Sequence, residues 1–301
     1  SELVVDEGDP FNELLHAKSI NNIKSRRLFS EVTTEIKEGS TPSQKIIDIT
    51  VTEKPTGEIS VGAGVGTSGG SFGFSVKENN FLGKGIGLTS SLQLSEEQIK
   101  GEFTIVNPDY HYSGNSLFTT VESTVTDRMT NYGYESSLTG FSIGTSFEQY
   151  DNFFIRPSIS TYFESLKTNS TATDNLKKQE GNYFDTIGSY KLTYDKRNQR
   201  YQTSDGFVSS FSQSVPVYSD NPELRNTYEY TVYNKLTDNM ITAVSFYSSA
   251  ITAISSGDDV RISNRVFLPS RKLRGFELGK IGPVDSGDYV GGNYASSLNL
   301  S

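Results

Sequence analysis

Cysteine and tryptophan are absent from this chain of 301 residues, and histidine occurs only twice, as His16 and His111. Without cysteine there is no disulfide framework and no thiolate metal site. With two isolated histidines, a histidine-built metal or catalytic cluster is nearly excluded. No stretch approaches the roughly 18 apolar residues that a membrane-spanning helix needs. Positive charge is also short. The net charge of −9 argues against a nucleic-acid-binding surface. What is present is aromatic: 17 tyrosines and 18 phenylalanines, within a chain that is only 34% hydrophobic. A transmembrane β-barrel needs one apolar face per strand, so low mean hydropathy is compatible with one.

The first 55 residues read differently from the rest. In "DPFNELLHAKSINNIKSRRLF", Asp9 is placed as a helix N-cap with Pro10 at the first helical position. Phe11, Leu14, Leu15, Ile20 and Ile23 recur at helical spacing. His16 on this helix reads as a solvated surface residue. "SEVTTEIKEG" and "QKIIDITVTEKP" then alternate like two strands around a turn. One helix and two strands bury little, so the segment reads as the back part of an α+β domain. Pro55 and Gly57 in "EKPTGE" mark its boundary.

From Glu58 onward, segments of strand length alternate with turn clusters. Strands are expected at 58–66, 70–79, 85–95, 98–106, 116–127, 134–147, 153–167, 181–195, 206–217, 223–237, 239–255 and 291–301. Tyr228, Tyr230, Val232 and Leu236 share one face of their segment, with Glu229, Thr231 and Lys235 on the other. Tyr190, Leu192 and Tyr194 alternate with Lys191, Thr193 and Asp195. Ile155, Ile159 and Phe163 alternate with Arg156, Ser158, Ser160 and Glu164. Both soluble and membrane barrels alternate, so the question is which face is dry. Twelve strands would enclose a lumen too wide for side chains to fill. A wet, polar interior and a lipid-facing apolar exterior follow, with tyrosines near strand ends as interfacial girdles. A soluble sandwich or propeller is the weaker reading. If the first segment is periplasmic, every second connection from the first hairpin turn onward is extracellular. These include the polar "TNSTATDNLKKQEG" and a long excursion over 256–290, while "EQYDN" and "KLTDN" are short turns on the other side. The turns "PDYHYSGN" and "KRNQRYQTSDG" are longer than that rule asks.

Several of these stretches together resemble the BamA family of outer-membrane β-barrel assembly proteins. "KENNFLGKG" follows the second strand, "VNPDY" closes the fourth, "YDKRNQRYQTSDGF" resembles the turn between strands eight and nine, and "GDYVGGN" resembles the start of strand twelve. "KLRGFELGKIGP" resembles the sixth extracellular loop, with Leu273, Arg274, Gly275 and Phe276 on its Val-Arg-Gly-Phe/Tyr motif and leucine in place of valine. The resemblance implies a fragment: the C-terminal part of the last periplasmic POTRA domain (1–55), then about twelve of sixteen barrel strands (56–301). It implies that Arg274 folds back into the lumen and is held by acids. The strand-twelve motif maps to Gly291, Gly292 and Asn293, and its acidic position to Asn299, which is neutral; a second family acid would lie beyond Ser301. It also implies a lateral seam at strand one, Glu58, Ile59, Ser60, Val61, Gly62, Ala63 and Gly64, where an incoming strand could pair by β-augmentation. Glycines there could equally accommodate barrel curvature.

The implied function is insertion and folding of β-barrel proteins in a Gram-negative outer membrane. Unfolded outer-membrane proteins, assembly lipoproteins and outer-membrane lipid are the implied partners, without a cofactor and without enzyme chemistry. The competing readings are a passive channel, a TamA-like or two-partner-secretion translocator, and an outer-membrane enzyme. The channel reading leaves the helix-strand-strand segment unexplained. The enzyme reading rests on Asp109-Tyr110-His111, which lacks a nucleophile elbow. "GAGVGTSGG" lacks the Gly-Lys-Ser/Thr ending of a phosphate loop.

Overall fold

The structure is a computed structural model. It describes the chain except for residues 1–2, 5–6, 26–27, 42–43, 67–68, 171, 201, 238–239, 256, 269–271, 274–275, 277–279 and 286. Helix α1 (Glu13–Ser25) precedes a separate antiparallel pair, β1 (Phe29–Glu38) and β2 (Lys45–Glu53). The helix begins later than its sequence suggests. Asn12, not Asp9, is the cap: its Oδ1 accepts the N–H groups of Leu14 (2.9 Å) and Leu15 (3.2 Å). Asn is as good an N-cap as Asp, and here it stands directly before the helical run. His16 is also corrected. It is only 7% exposed, and its Nε2 lies 3.1 Å from Thr34 Oγ1 on β1. The imidazole lies on the face of α1 that packs on the sheet, where a hydroxyl satisfies it.

Eleven strands then run in chain order: β3 (Gly57–Gly66), β4 (Gly69–Phe81), β5 (Ile86–Ser95), β6 (Gln98–Asn107), β7 (Ser116–Arg128), β8 (Tyr134–Tyr150), β9 (Phe153–Thr168), β10 (Gly181–Asp195), β11 (Gly206–Ser219), β12 (Glu223–Thr237) and β13 (Met240–Ala253). A two-residue hairpin, β14 (Val284–Asp285) and β15 (Asp288–Tyr289), lies within the long excursion. Strand β16 (Tyr294–Leu300) returns to pair with β13. The result is one 12-stranded antiparallel meander with β3 and β16 at its two ends. All twelve strand segments stand where alternation and turn residues put them. Single-turn helices α2 (Met129–Tyr132) and α3 (Asp174–Lys177) interrupt two of the connections, which the sequence reads as plain loops.

Register fixes the two faces. Ile59, Phe74, Leu92, Phe103, Val121, Phe141, Ile159, Phe163, Phe184, Val215, Tyr228, Phe246 and Leu298 all point to one face and are left exposed. That face is apolar, and its polar groups satisfy one another. Thr161 pairs with Thr186, Gln213 with Asn226 and Tyr190, and Lys167 with Glu135 near one end. Aromatic rings cluster near the strand ends: Tyr194–Phe207–Tyr230 where β10 hands over to β11, and Phe184–Tyr218 at the opposite end. The other face carries hydroxyl ladders (Thr104–Thr120, Ser189–Ser214, Thr227–Ser249, Thr231–Ser245) and the Lys100–Glu102–Glu122 cluster. An exposed apolar face opposite a hydroxyl-rich, charged one is the pattern of a lipid-facing wall around a wet lumen.

The connections are less asymmetric than a porin-like rule would have it. At the end where β3 enters, here the entry end, the β8–β9 link is only 151–152, but the β10–β11 link is 196–205. At the far end the links run from 96–97 between β5 and β6, through 169–180 between β9 and β10 and a short 220–222 between β11 and β12, to the excursion between β13 and β16.

Candidate functional site: a loop braced on the lumen face

The excursion between β13 and β16 starts by turning inward. Val260, Arg261 and Ile262 are each only 1% exposed, deeper than most of the sheet. Arg261 is the pivot. Its Nη1 donates to Glu164 Oε2 on β9 (2.6 Å) and its Nη2 to Asp185 Oδ2 on β10 (2.9 Å). Strand register builds this cradle. Glu164 lies directly opposite Tyr183, and Asp185 follows two residues along β10 on the same face. The guanidinium lies 3.9 Å from the Tyr183 ring centroid, so its plane is stacked as well as paired. The remaining carboxylate oxygens are engaged too, by Ser136 Oγ on Glu164 (2.6 Å) and Ser219 Oγ on Asp185 (2.5 Å). Burial works against the charge on Arg261, but the two carboxylates outweigh it and hold its pKa above the ordinary value.

Backbone and side chains extend the brace around this pair. Glu223 on β12 accepts the Arg261 N–H (2.7 Å) and the Asn264 side-chain amide (2.8 Å), while Arg225 donates to the Asn264 carbonyl. Gln179 accepts the Ile262 N–H (2.8 Å). Arg265 joins the two ends of the excursion, donating to Val260 O (3.1 Å) and Val290 O (3.4 Å). Ile262 packs with Tyr132, Tyr134, Leu166, Ala172 and Leu176, and Phe267 and Tyr289 close over the group. Here α2 and α3 bring the neighbouring connections onto the excursion. Between this roof and the wall lies a cavity of about 340 Å³ lined by Glu122, Tyr162, Ser214 and Arg225 among others.

The residues singled out from sequence fall around this brace unevenly. Arg274 and Gly275 lie outside the described residues. Leu273 is half-buried, and Phe276 is 57% exposed. Two residues before Arg274, Lys272 is held firmly. Its Nζ meets Glu229 Oε1 on β12 (2.7 Å) and lies 4.9 Å from the Tyr247 ring centroid. Its carbonyl accepts the side-chain amide of Asn299 on β16 (3.0 Å). The neutral residue at the acidic position of the motif thus holds the loop's backbone. Gly291 has φ +67°, and a Cβ there would come within 2.7 Å of the Phe267 ring. Gly292 forms a two-way bridge with Val266 (2.7 and 3.0 Å), and Asn293 O accepts the Ile251 N–H. The motif therefore ties the end of the excursion to its own base.

Strand β3, with Glu58 through Gly64, pairs with β4 on one side only among the described residues. Ile59 and Val61 face outward and are well exposed, while Ser60 and Gly62 line the polar face. A Cβ at Gly62 or at its partner Gly73 would meet nothing within 4 Å. No side chain of the described residues therefore presses on these two glycines. His111 sits in a turn with φ +52°, and Tyr110 stacks edge-on against it.

Sequence reading misses Arg261. It stands in "DDVRISNRVF", without a motif. Its only signal is Val260 and Ile262, two β-branched apolar residues flanking an arginine in an otherwise polar stretch.

Comparison with known proteins agrees with this geometry. Outer membrane protein assembly factor BamA of Neorickettsia risticii (strain Illinois) is 24% identical over 310 residues, covering 97% of this chain and 40% of that protein. The chain thus spans well under half of that relative's length. The crystal structure of BamA from Haemophilus ducreyi lacking POTRA domains 1-3 superposes with a TM-score of 0.87 at 18% identity, over 99% of this chain and 63% of that one. CdiB from Acinetobacter baumannii shares the fold more loosely, with a TM-score of 0.52 at 12% identity, over 99% of this chain and 63% of that one. The Omp85 superfamily domain matches residues 80–300, most of the chain and ten of the twelve strands of the wall, from β5 to β16; the chain is a transmembrane β-barrel protein that belongs to the Omp85 superfamily.

Proposed function

We propose that this chain is the barrel-forming part of a protein that inserts and folds β-barrel proteins in the outer membrane of a Gram-negative bacterium. Helix α1 with β1 and β2 is then the C-terminal part of the last periplasmic POTRA domain (1–55), and the entry end is periplasmic. The observation that carries the reading is the excursion pinned to the lumen face by a buried arginine. Such a loop blocks a passive pore and stiffens the wall, which suits a machine whose work is at its edge. Strand β3, from Glu58 to Gly64, is the proposed edge: its regular backbone can template an incoming strand, since in lipid every exposed N–H and C=O must pair. Arg274 and Phe276 are proposed to enter the lumen beside Lys272. Unfolded outer-membrane proteins, assembly lipoproteins and outer-membrane lipid are the partners, with no nucleic acid, no cofactor and no enzyme chemistry. A TamA-like or two-partner-secretion translocator of the same superfamily is the second reading.

The test is reconstitution of the full-length protein in liposomes with a urea-unfolded outer-membrane protein, following client folding by its heat-modifiable gel shift. Faster folding is expected, and a disulfide joining β3 to the last barrel strand should abolish the gain. Client folding no faster than with empty liposomes overturns the reading. Release of an exported polypeptide instead would favour the second.

A further inference from the structure

A second feature of the lumen face stands apart from the braced loop, at the opposite end of β9 and β10. Arg156 and Lys191 are direct cross-strand partners on the polar face, and both are exposed. Like charges placed opposite one another destabilise a sheet. In a chain with a net charge of −9, carboxylates to separate them are not scarce. Neither side chain forms an ion pair with a carboxylate among the described residues. Arg156 is instead oriented by an aromatic ring, its guanidinium 4.0 Å from the Phe118 centroid. Phe118 is itself locked: it is buried, and its ring occupies the space a Cβ would need at Gly144 (2.4 Å). The arginine is therefore held in place with its charge unspent.

The positive surface continues toward the entry end. Arg200 stacks over Phe154, which precedes Arg156 by two residues on the same face (5.5 Å). Two of the nearby carboxylates are already committed. Asp195 takes a bidentate fork from Arg197 (2.8 and 2.7 Å), leaving Arg200 a 3.6 Å contact. Glu148 accepts the N–H of Asn152 (2.6 Å). Arg156, Lys191, Arg197 and Arg200 thus lie beside two occupied carboxylates, while Lys196, Asp151 and Asp205 stand in the adjoining turns 196–205 and 151–152. The spacing also matters. Phe154 and Arg156 are about 7 Å apart along the strand, which is the distance between alternate side chains of an extended peptide.

We propose that this rim is a docking site for an acidic, extended polypeptide segment entering the lumen from the entry end. Its alternate carboxylates would meet the Arg156–Lys191 pair and Arg200, and its aliphatic carbons would cover Phe154. The surface rests on the reading that this end opens to the periplasm, where unfolded chains arrive. The attraction would be strong at low ionic strength and screened by salt.

The test uses the full-length protein in detergent micelles and fluorescently labelled hexapeptides of alternating Glu-Thr, Gln-Thr or Lys-Thr, read by anisotropy. Only the Glu-Thr peptide should bind, and salt should weaken it. Arg156→Gln with Lys191→Gln should weaken it by about tenfold, the sum of two exposed charge contacts. Heat-modifiability checks that the double variant is folded. Should it not fold, Lys191→Gln alone carries the test with an expected loss of about threefold. Equal binding of the Glu-Thr and Gln-Thr peptides, or unchanged affinity in a folded variant, overturns the proposal. So does displacement by free glutamate at the peptide's own concentration, which would mark an isolated anion site. Peptide binding is read without client insertion, so failure of the assembly reading leaves a distinct result: acidic peptide bound, clients not folded.

Discussion

Replacing Arg261 by methionine should release the base of the excursion without unfolding the wall. The substitution keeps most of the buried volume but leaves Glu164 and Asp185 facing each other with only serine hydroxyls as donors. Removing one partner from a buried ionic group costs about 3–5 kcal/mol, because the remaining charge stays desolvated. Taking the lower value, about 3 kcal/mol lost from local opening corresponds to roughly 150-fold less protection from hydrogen exchange. The amides that should show it are those the brace fixes: Arg261 on Glu223, Ile262 on Gln179 and Val266 on Gly292. Amides in the middle of β9 and β10 should change little, since their ladder is intact. The assay is exchange measured by mass spectrometry on the full-length protein in micelles. Adding Glu164→Gln and Asp185→Asn to Arg261→Met should recover much of the protection, because neutral amides do not repel and can pair with the serines. If Arg261→Met leaves protection at these three amides within about threefold of the original, under 1 kcal/mol, the arginine is not the pivot.

Lys272→Met should free the second tie, making the 272–276 stretch more accessible to protease while the Arg261 region stays protected; equal change in both regions would mean one cooperative unit. Asn12→Ala should cost about 1 kcal/mol by removing the acceptor that caps α1, read by urea denaturation of the N-terminal segment within the full protein, whereas Asp9→Ala should cost less. Phe163→Arg puts a charge on the lipid-facing wall and should destabilise the folded barrel in bilayers by about 2–4 kcal/mol, as judged by urea denaturation in liposomes.

The wall was legible because strand alternation is a local code: each side chain's face follows from its parity, and the turn clusters punctuate it. The wet side of that wall was legible for the same reason, since Glu164, Ser158 and Ser160 fall on one parity and Ile159 and Phe163 on the other. The brace was not. Arg261 meets Glu164 and Asp185 across 97 and 76 residues of chain, and nothing local in "DVRIS" records such a pairing. The family motif drew attention to Arg274, which lies outside the described residues, while the pairing that is visible occurs thirteen positions earlier. His16 misled for a similar reason. A single polar residue on a helix is equally compatible with solvent and with a hydroxyl on a neighbouring strand, and Thr34 decides it. Asp9 misled because two good caps stand three residues apart, and only the first turn's geometry chooses Asn12.

The placement of the contacts suggests how the wall is divided. Arg261 reaches β9 and β10, its backbone reaches β12, and Lys272 reaches β12 and, through its carbonyl, β16. One loop therefore ties strands that are not neighbours in the sheet, as a strut does across a curved shell. Aromatic stacking of Arg128 on Tyr132 and Phe267 carries that support as far as β7. No described contact of this kind reaches β3 or β4, and at Gly62 and Gly73 the polar face of those strands is open. A cross-strand pair of glycines adds neither side-chain packing nor rotamer restriction, so the first hairpin is the least supported stretch of the wall. Stability in a sheet follows where its side chains are held, and opening follows where they are not. The braced loop and the bare hairpin are then two parts of one design: the loop fixes the β7–β16 side of the barrel, and the compliance is left at the strand proposed to receive a partner.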